Sequence, residues 1–135
     1  MSEPSPEQLP FVRIGGETEV RRLVDRFYDF MDSLPEAQGI RAMHATSLTQ
    51  ARNHLHWFMV GWLGGPPLYV EKKGHPRLRA RHLPFPIGVA ERDAWMLCMD
   101  RALAEVVHDQ ELREFLHNAL ARLADHMRNL PEPSA

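Results

Sequence analysis

Residues 66–88 hold five prolines and two glycines, and no other stretch restricts the fold as much. Proline has no amide proton to give a helix interior or a central strand, and glycine favours turns. A long continuous element across this stretch is excluded, so it reads as loop with one short helix. On either side the apolar residues repeat with helical spacing. After Gly15-Gly16 they fall at Val20, Leu23, Val24, Phe27, Tyr28 and Met31, three and four apart, on one face. Pro35 and Gly39 end that pattern. A second helix is predicted over 47–62, with Leu48, Ala51, Leu55, Phe58, Met59 and Trp62 inward. Ser47 is its N-cap and Gly64-Gly65-Pro66-Pro67 its stop. A third covers 89–108, with Trp95, Cys98, Met99, Ala102, Leu103 and Val106 inward. A fourth covers 110–129 and buries Leu112, Phe115, Leu116, Ala119, Leu123 and Met127. No segment sustains the period-two alternation of a strand. The expectation is an all-α fold, four main helices packed as two crossed pairs.

A chain of 135 residues is one domain with a real core. The domain is expected over 11–130, between a loose arm at 1–10 carrying Pro4, Pro6 and Pro10 and a short tail at 131–135. A formal net charge of -2 gives no general pull toward nucleic acid or anionic membrane. The N-terminus lacks a signal-peptide pattern, and no apolar run is long enough to span a bilayer. The single Cys98 cannot form an internal disulfide. Reducing cytoplasm is the simplest home, with Cys98 a small buried hydrophobe on a helix face.

A long irregular stretch inside a compact domain usually serves a function or is held by something. A large flat apolar cofactor would hold this one, in place of the core that a full helix would have supplied. Within it, Arg79-Ala80-Arg81-His82 ends at Pro84-Phe85-Pro86, so an imidazole sits at a chain bend facing an interior that also offers Tyr28 and Trp95. One fixed histidine opposite polar-tipped aromatics in an apolar pocket suits haem binding. From spacing alone His82 stays open between ligand and structural residue.

The other histidines read plainly. His54 and His56 are two apart on a helix and cannot share a metal. His108, His117 and His126 read as solvated, and His75 in Gly74-His75-Pro76 as a surface or turn residue. There is no Cys-x-x-Cys, no His-Glu-x-x-His, no phosphate loop and no Gly-x-Ser-x-Gly. The basic cluster Lys72, Lys73, Arg77, Arg79 and Arg81 admits three readings: a solvated loop, partners for cofactor carboxylates, or a nucleic-acid contact with Tyr69 to stack.

Several landmarks then run in order over about residues 11–128: Gly15-Gly16, Phe27-Tyr28, Gly64-Gly65-Pro66, Gly74-His75-Pro76-Arg77-Leu78-Arg79, Arg81-His82-x-Pro84-Phe85 and Glu91-Arg92-Asp93-x-Trp95. In these the chain resembles the truncated haemoglobins of group II. The resemblance implies a shortened globin, a two-over-two helical sandwich around haem b, with His82 as the proximal iron ligand and its other ring nitrogen donating to a backbone carbonyl. The distal side would comprise Tyr28, Trp95 and His44, a position that family members fill with tyrosine, phenylalanine or histidine. Ala51 maps where ordinary globins often place a distal histidine, and it cannot donate. Leu55, Phe58, Phe85, Ile87 and Met99 would line the pocket, and Arg79, Arg81 and Tyr69 would meet the haem propionates.

The implied function is binding of dioxygen, with nitric oxide, carbon monoxide and peroxide as further small ligands, at five-coordinate iron. The alternative is a haem redox enzyme, a nitric oxide dioxygenase or peroxidase-like protein. It would depend on a separate reductase, because the chain has no flavin or nicotinamide motif. A third class, a helical interaction module without haem, would use the basic loop. Nucleic acid and membrane are not expected partners.

Overall fold

The computed structural model describes residues 9–131, and the regular elements among them are all helical. In order they are α1 (Pro10–Ile14), α2 (Glu17–Ser33), a 3-10 turn at Pro35–Ala37, α3 (Gln38–Arg41), α4 (Thr49–Trp62), α5 (Leu68–Lys73), α6 (Leu78–His82), α7 (Val89–Val106) and α8 (Gln110–His126). The arm expected at 1–10 lies mostly outside the described residues, as does the tail beyond Pro131. Pro10 itself opens α1 at a position where its missing amide proton costs nothing.

The α2 stripe is fully internal: Val20, Leu23, Val24, Phe27, Tyr28 and Met31 are all buried. It packs chiefly on α7, while α4 packs on α2 and α8 on α7, giving two helices laid over two. Gly15 and Gly16 both have positive φ, which lets the chain turn sharply from α1 into α2. The start of α1 is tied to the end of α4, where the Phe11 amide donates to the Leu63 carbonyl at 2.9 Å.

Four boundaries and faces differ from the sequence reading. Thr49 begins α4, and the Ser47 hydroxyl accepts from the Thr49 amide at 3.3 Å in a turn ahead of the helix. The stretch 66–88 forms two short helices, not one. Pro67 precedes α5, Gly74 ends it, and left-handed Arg77 (φ 48°) starts α6. In that turn His75 Nδ1 accepts from the Arg77 amide at 3.0 Å. Phe115 is 53% exposed. The inward stripe of α8 runs through Leu112, Leu116, Leu120 and Ala124, which leaves Phe115 on its flank. Finally, α7 and α8 stop at Val106 and His126, short of His108 and Asn129.

Capping is explicit at both long C-terminal helices. Glu91 Oε1 accepts from the Gly88 amide at 2.7 Å at the start of α7, and Asp109 Oδ1 accepts from the Leu112 amide at 3.1 Å at the start of α8. Asp109 also holds Arg13 of α1 at 2.7 Å. His56 is buried inside α4, its Nε2 3.2 Å from Glu17 Oε1 on α2 and its Nδ1 without a partner among the described residues.

Candidate functional site

A cavity of about 340 Å³ opens where α2, α4, α6, α7 and α8 converge. Of the residues singled out from sequence, Tyr28, His44, Ala51, Leu55, Phe58, Tyr69, Arg81, His82, Phe85, Ile87 and Trp95 all line it. Arg79 and Met99 do not. The Arg79 guanidinium donates to the carbonyls of His126 (2.6 Å) and Arg128 (3.0 Å), so it braces the end of α8 and faces away from the cavity. Met99 is fully buried in the helical core.

The segment carrying His82 is held from outside by a distant residue. The Asn129 amide donates to the carbonyls of Phe85 (2.8 Å) and His82 (3.2 Å), and its Oδ1 accepts from the Ile87 amide at 2.9 Å. Within α6, His82 Nδ1 donates to the Leu78 carbonyl at 2.6 Å. That bond fixes the tautomer and leaves Nε2 with a free lone pair.

On the other elements, Phe27 fixes two rings at once. It is fully buried, with its ring centroid 4.9 Å from Tyr28 and 5.0 Å from Trp95. The Tyr28 hydroxyl and the Trp95 indole N–H have no protein acceptor among the described residues, and both residues line the cavity, Tyr28 buried and Trp95 half-buried. Burial pushes the Tyr28 phenol well above its ordinary pKa, with the Arg52 guanidinium opposing the rise. Tyr28 is thus a neutral donor at physiological pH. Arg52 lies 5.8 Å from the centre of the Tyr28 ring and is held by Asp25 Oδ1 (3.1 Å) and Asp29 Oδ1 (2.8 Å), the residues flanking Tyr28 on α2. His44 Nδ1 donates to the Ile40 carbonyl at 2.9 Å, and its ring centroid lies 5.9 Å from that of Tyr28.

The sequence reading missed His54. It lines the cavity one helical turn beyond Ala51, with its ring 6.1 Å from Tyr69. Its pKa is lowered, first by burial and then by Lys73 and Arg81. Its place on the Ala51–Leu55–Phe58 stripe was the available signal. Leu123 and Ala124 of α8, and Met127 just after it, also contribute to the lining.

Among the described residues no group of His, Cys, Asp and Glu side chains could hold a metal ion by itself. One tethered imidazole and two ring donors without acceptors, set in apolar lining, fit a metal carried by a flat apolar cofactor. An all-helical chain with that pocket is globin-like in class.

The comparisons agree. The model of the bacterial-like globin family matches residues 10–129. The group 2 truncated hemoglobin YjbI of Bacillus subtilis is 43% identical over 91% of this chain and 90% of its own length. Among solved structures, the group II 2-on-2 hemoglobin of Agrobacterium tumefaciens superposes with a TM-score of 0.89 at 46% identity, covering 94% of this chain and 98% of that one. A truncated oxygen-avid haemoglobin from Bacillus subtilis gives 0.81 at 43% identity, covering 90% and 100%. The chain belongs to the bacterial-like globins and, within them, to the group II truncated haemoglobins, a family whose fold implies haem-based binding of small ligands.

Proposed function

We propose that this protein binds dioxygen and other diatomic ligands reversibly, using haem b held by His82. One observation carries the reading. A cavity-lining imidazole already committed through Nδ1 to Leu78 shares its cavity with two donors, Tyr28 and Trp95, that no protein acceptor among the described residues takes. When bound, haem b supplies the five-coordinate iron at which diatomic gases bind. The chain's own groups do the rest. The Leu78 bond holds the His82 ring in plane and makes Nε2 a stronger ligand. Ala51, Leu55, Phe58, Phe85 and Ile87 keep water out, which strengthens hydrogen bonds to a ligand carrying partial negative charge. Ala51 has no donor, so that work falls to Tyr28 and Trp95. His44, tied through Nδ1 to the Ile40 carbonyl and with its ring 5.9 Å from that of Tyr28, assists on the same side. Arg81, with its guanidinium 5.7 Å from the Tyr69 ring centre, meets a haem carboxylate together with Tyr69. The Bacillus subtilis relative is named oxygen-avid, which supports dioxygen as the ligand. The single Cys98 is consistent with reducing cytoplasm.

The purified protein should show an intense Soret band, and His82→Ala should lose haem readily. Tyr28→Phe and Trp95→Phe should each speed oxygen release by about tenfold, the equivalent of about 1.4 kcal/mol for one strong donor. Unchanged haem retention in His82→Ala, or unchanged release in both ring variants, would overturn the assignment. Cations without carboxylate partners beside the cavity mouth favour a second reading, in which an external reductant sustains oxidation of nitric oxide to nitrate or reduction of peroxide. Continued turnover after mixing the oxygenated form with nitric oxide and reductant would mark it.

A further inference from the structure

Segment 66–88 carries Lys72, Lys73, Arg77, Arg79 and Arg81 against one carboxylate, Glu71, in a chain whose formal net charge is -2. The rest of the molecule is therefore distinctly acidic. Among the described residues none of these five cations is within ion-pairing distance of a carboxylate, whereas the arginines of α2 and α4 are pinned by Asp25, Asp29, Glu19 and Glu105. Arg81 lines the cavity, and Lys72 and Lys73 lie close to residues on or beside its wall. The Lys72 ammonium lies 5.1 Å from the centre of the half-buried Trp57 ring, and that ring is 5.5 Å from His54. Lys73 and Arg81 act electrostatically on the same His54, which lines the cavity. Arg79 is turned to the carbonyls of His126 and Arg128, and Arg81 is the residue assigned above to a haem carboxylate. That leaves Lys72, Lys73 and Arg77, all exposed, without a carboxylate partner among the described residues.

We propose that the face of α5 and the α5–α6 turn, bearing Lys72, Lys73 and Arg77, docks an acidic electron-donor protein, a reduced flavin or iron–sulfur carrier. This rests on the haem reading above. Bound at the rim, the donor loses one electron and the ferric iron gains it to become ferrous, with no bond made or broken and no proton moved. Charge complementarity favours an acidic partner here, because three exposed cations lie close together in sequence while the chain outside residues 66–88 sums to a net negative charge. A small acidic protein can meet the patch alone, whereas a long nucleic-acid duplex or a membrane surface extends beyond it to the acidic remainder. A transient, salt-sensitive contact of modest area is the usual form of redox encounters. Tyr69, Arg81 and Phe85 place this rim directly against the pocket, which is where an electron has the least distance to travel.

The experiment uses the ferric holoprotein and reduced flavodoxin, an acidic flavoprotein, as the probe. The bimolecular reduction rate is measured against ionic strength for wild type, for Lys72→Glu/Lys73→Glu, and for Arg101→Glu, an exposed cation on α7. Amide shifts on adding oxidised flavodoxin give a readout independent of electron transfer. The expected result is a wild-type rate that falls as salt rises and a loss of about tenfold or more at low salt in the double reversal. Arg101→Glu should keep the wild-type rate, dithionite should reduce all three equally, and shifts should be confined to residues 68–77. An unchanged rate and salt dependence in the double reversal would overturn the proposal. So would binding through Lys72 and Lys73 to a DNA duplex or to phosphatidylglycerol vesicles in preference to flavodoxin. Failure of the haem reading looks different: hemin addition yields no Soret band.

Discussion

Replacing Asn129 with alanine tests how the histidine-bearing segment is held. One side chain makes three hydrogen bonds to it, at 2.8, 2.9 and 3.2 Å, to the backbones of Phe85, Ile87 and His82. Each is worth about 1 kcal/mol net, but the Phe85 carbonyl is exposed and water replaces its partner at little cost. The expected loss is therefore about 2 kcal/mol. The backbone bonds from Asn129 and Leu130 to the Ile87 carbonyl remain, so the tail stays in place and the loss is confined to the side chain. For a chain of this size that lowers Tm by about 8 °C. If the lost energy loosens only the segment around His82, haem transfer to excess apomyoglobin should speed up by as much as about thirtyfold. Asn129→Asp separates the terms. It can still accept from Ile87 but sets a carboxylate against two carbonyl oxygens, so it should match alanine at neutral pH and recover partly in acid, where the protonated carboxyl donates. Calorimetry and absorbance at the Soret maximum read both quantities. An alanine variant with Tm within about 1 °C and haem loss within about twofold of wild type would refute the bracing role.

Arg52→Gln removes both the clamp between Asp25 and Asp29 and the cation beside the Tyr28 ring. Tyr28 becomes a weaker donor, and the C–O stretch of the carbon monoxide complex should move to higher frequency, with Arg52→Lys partly restoring it. Gly65→Ala puts a Cβ 2.8 Å from the Phe11 ring and 2.9 Å from the Val60 carbonyl oxygen. It should cost about 1–3 kcal/mol in a urea melt by displacing α1. Burial pushes the Cys98 thiol up to about 11. At pH 8 only about one molecule in a thousand carries the thiolate, so a disulfide reagent should leave Cys98 unmodified until the protein unfolds. Asp109 and Asp125 are held below the usual carboxylate range, Asp109 first by Arg13 and Asp125 first by Arg128. Their contribution to stability is complete above the unfolded-state pKa and disappears only as pH falls through the lower folded values. Denaturation followed against pH should therefore begin later in wild type than in Asp109→Asn.

The four long helices were legible because each repeats its apolar residues over several turns, and α2 shows this best: every residue placed on its inner face is buried. The two helices within 66–88 were not, since five or six residues give too few turns for a period, and proline spacing alone does not separate one helix from two. Phe115 was misplaced because a phenylalanine at the edge of a helical stripe looks like one at its centre until the packing partner is known. Arg79 and Arg81 are indistinguishable in sequence. Only the tertiary position of the α8 carbonyls decides that Arg79 turns to them and leaves Arg81 at the cavity. His54 shared the stripe of Ala51 and Leu55 but was weighed only as half of a metal pair with His56.

The brace on His82 also sets an order of events during biosynthesis. Asn129 lies 47 positions after the histidine it steadies, and so does the His126 carbonyl relative to Arg79. At about 5–20 residues per second, a ribosome needs roughly 2–9 s to pass from one to the other. Through that interval the nascent chain has His82, the proposed iron ligand, but not the anchor that aims it, so on that reading durable capture of the prosthetic group waits for the end of α8.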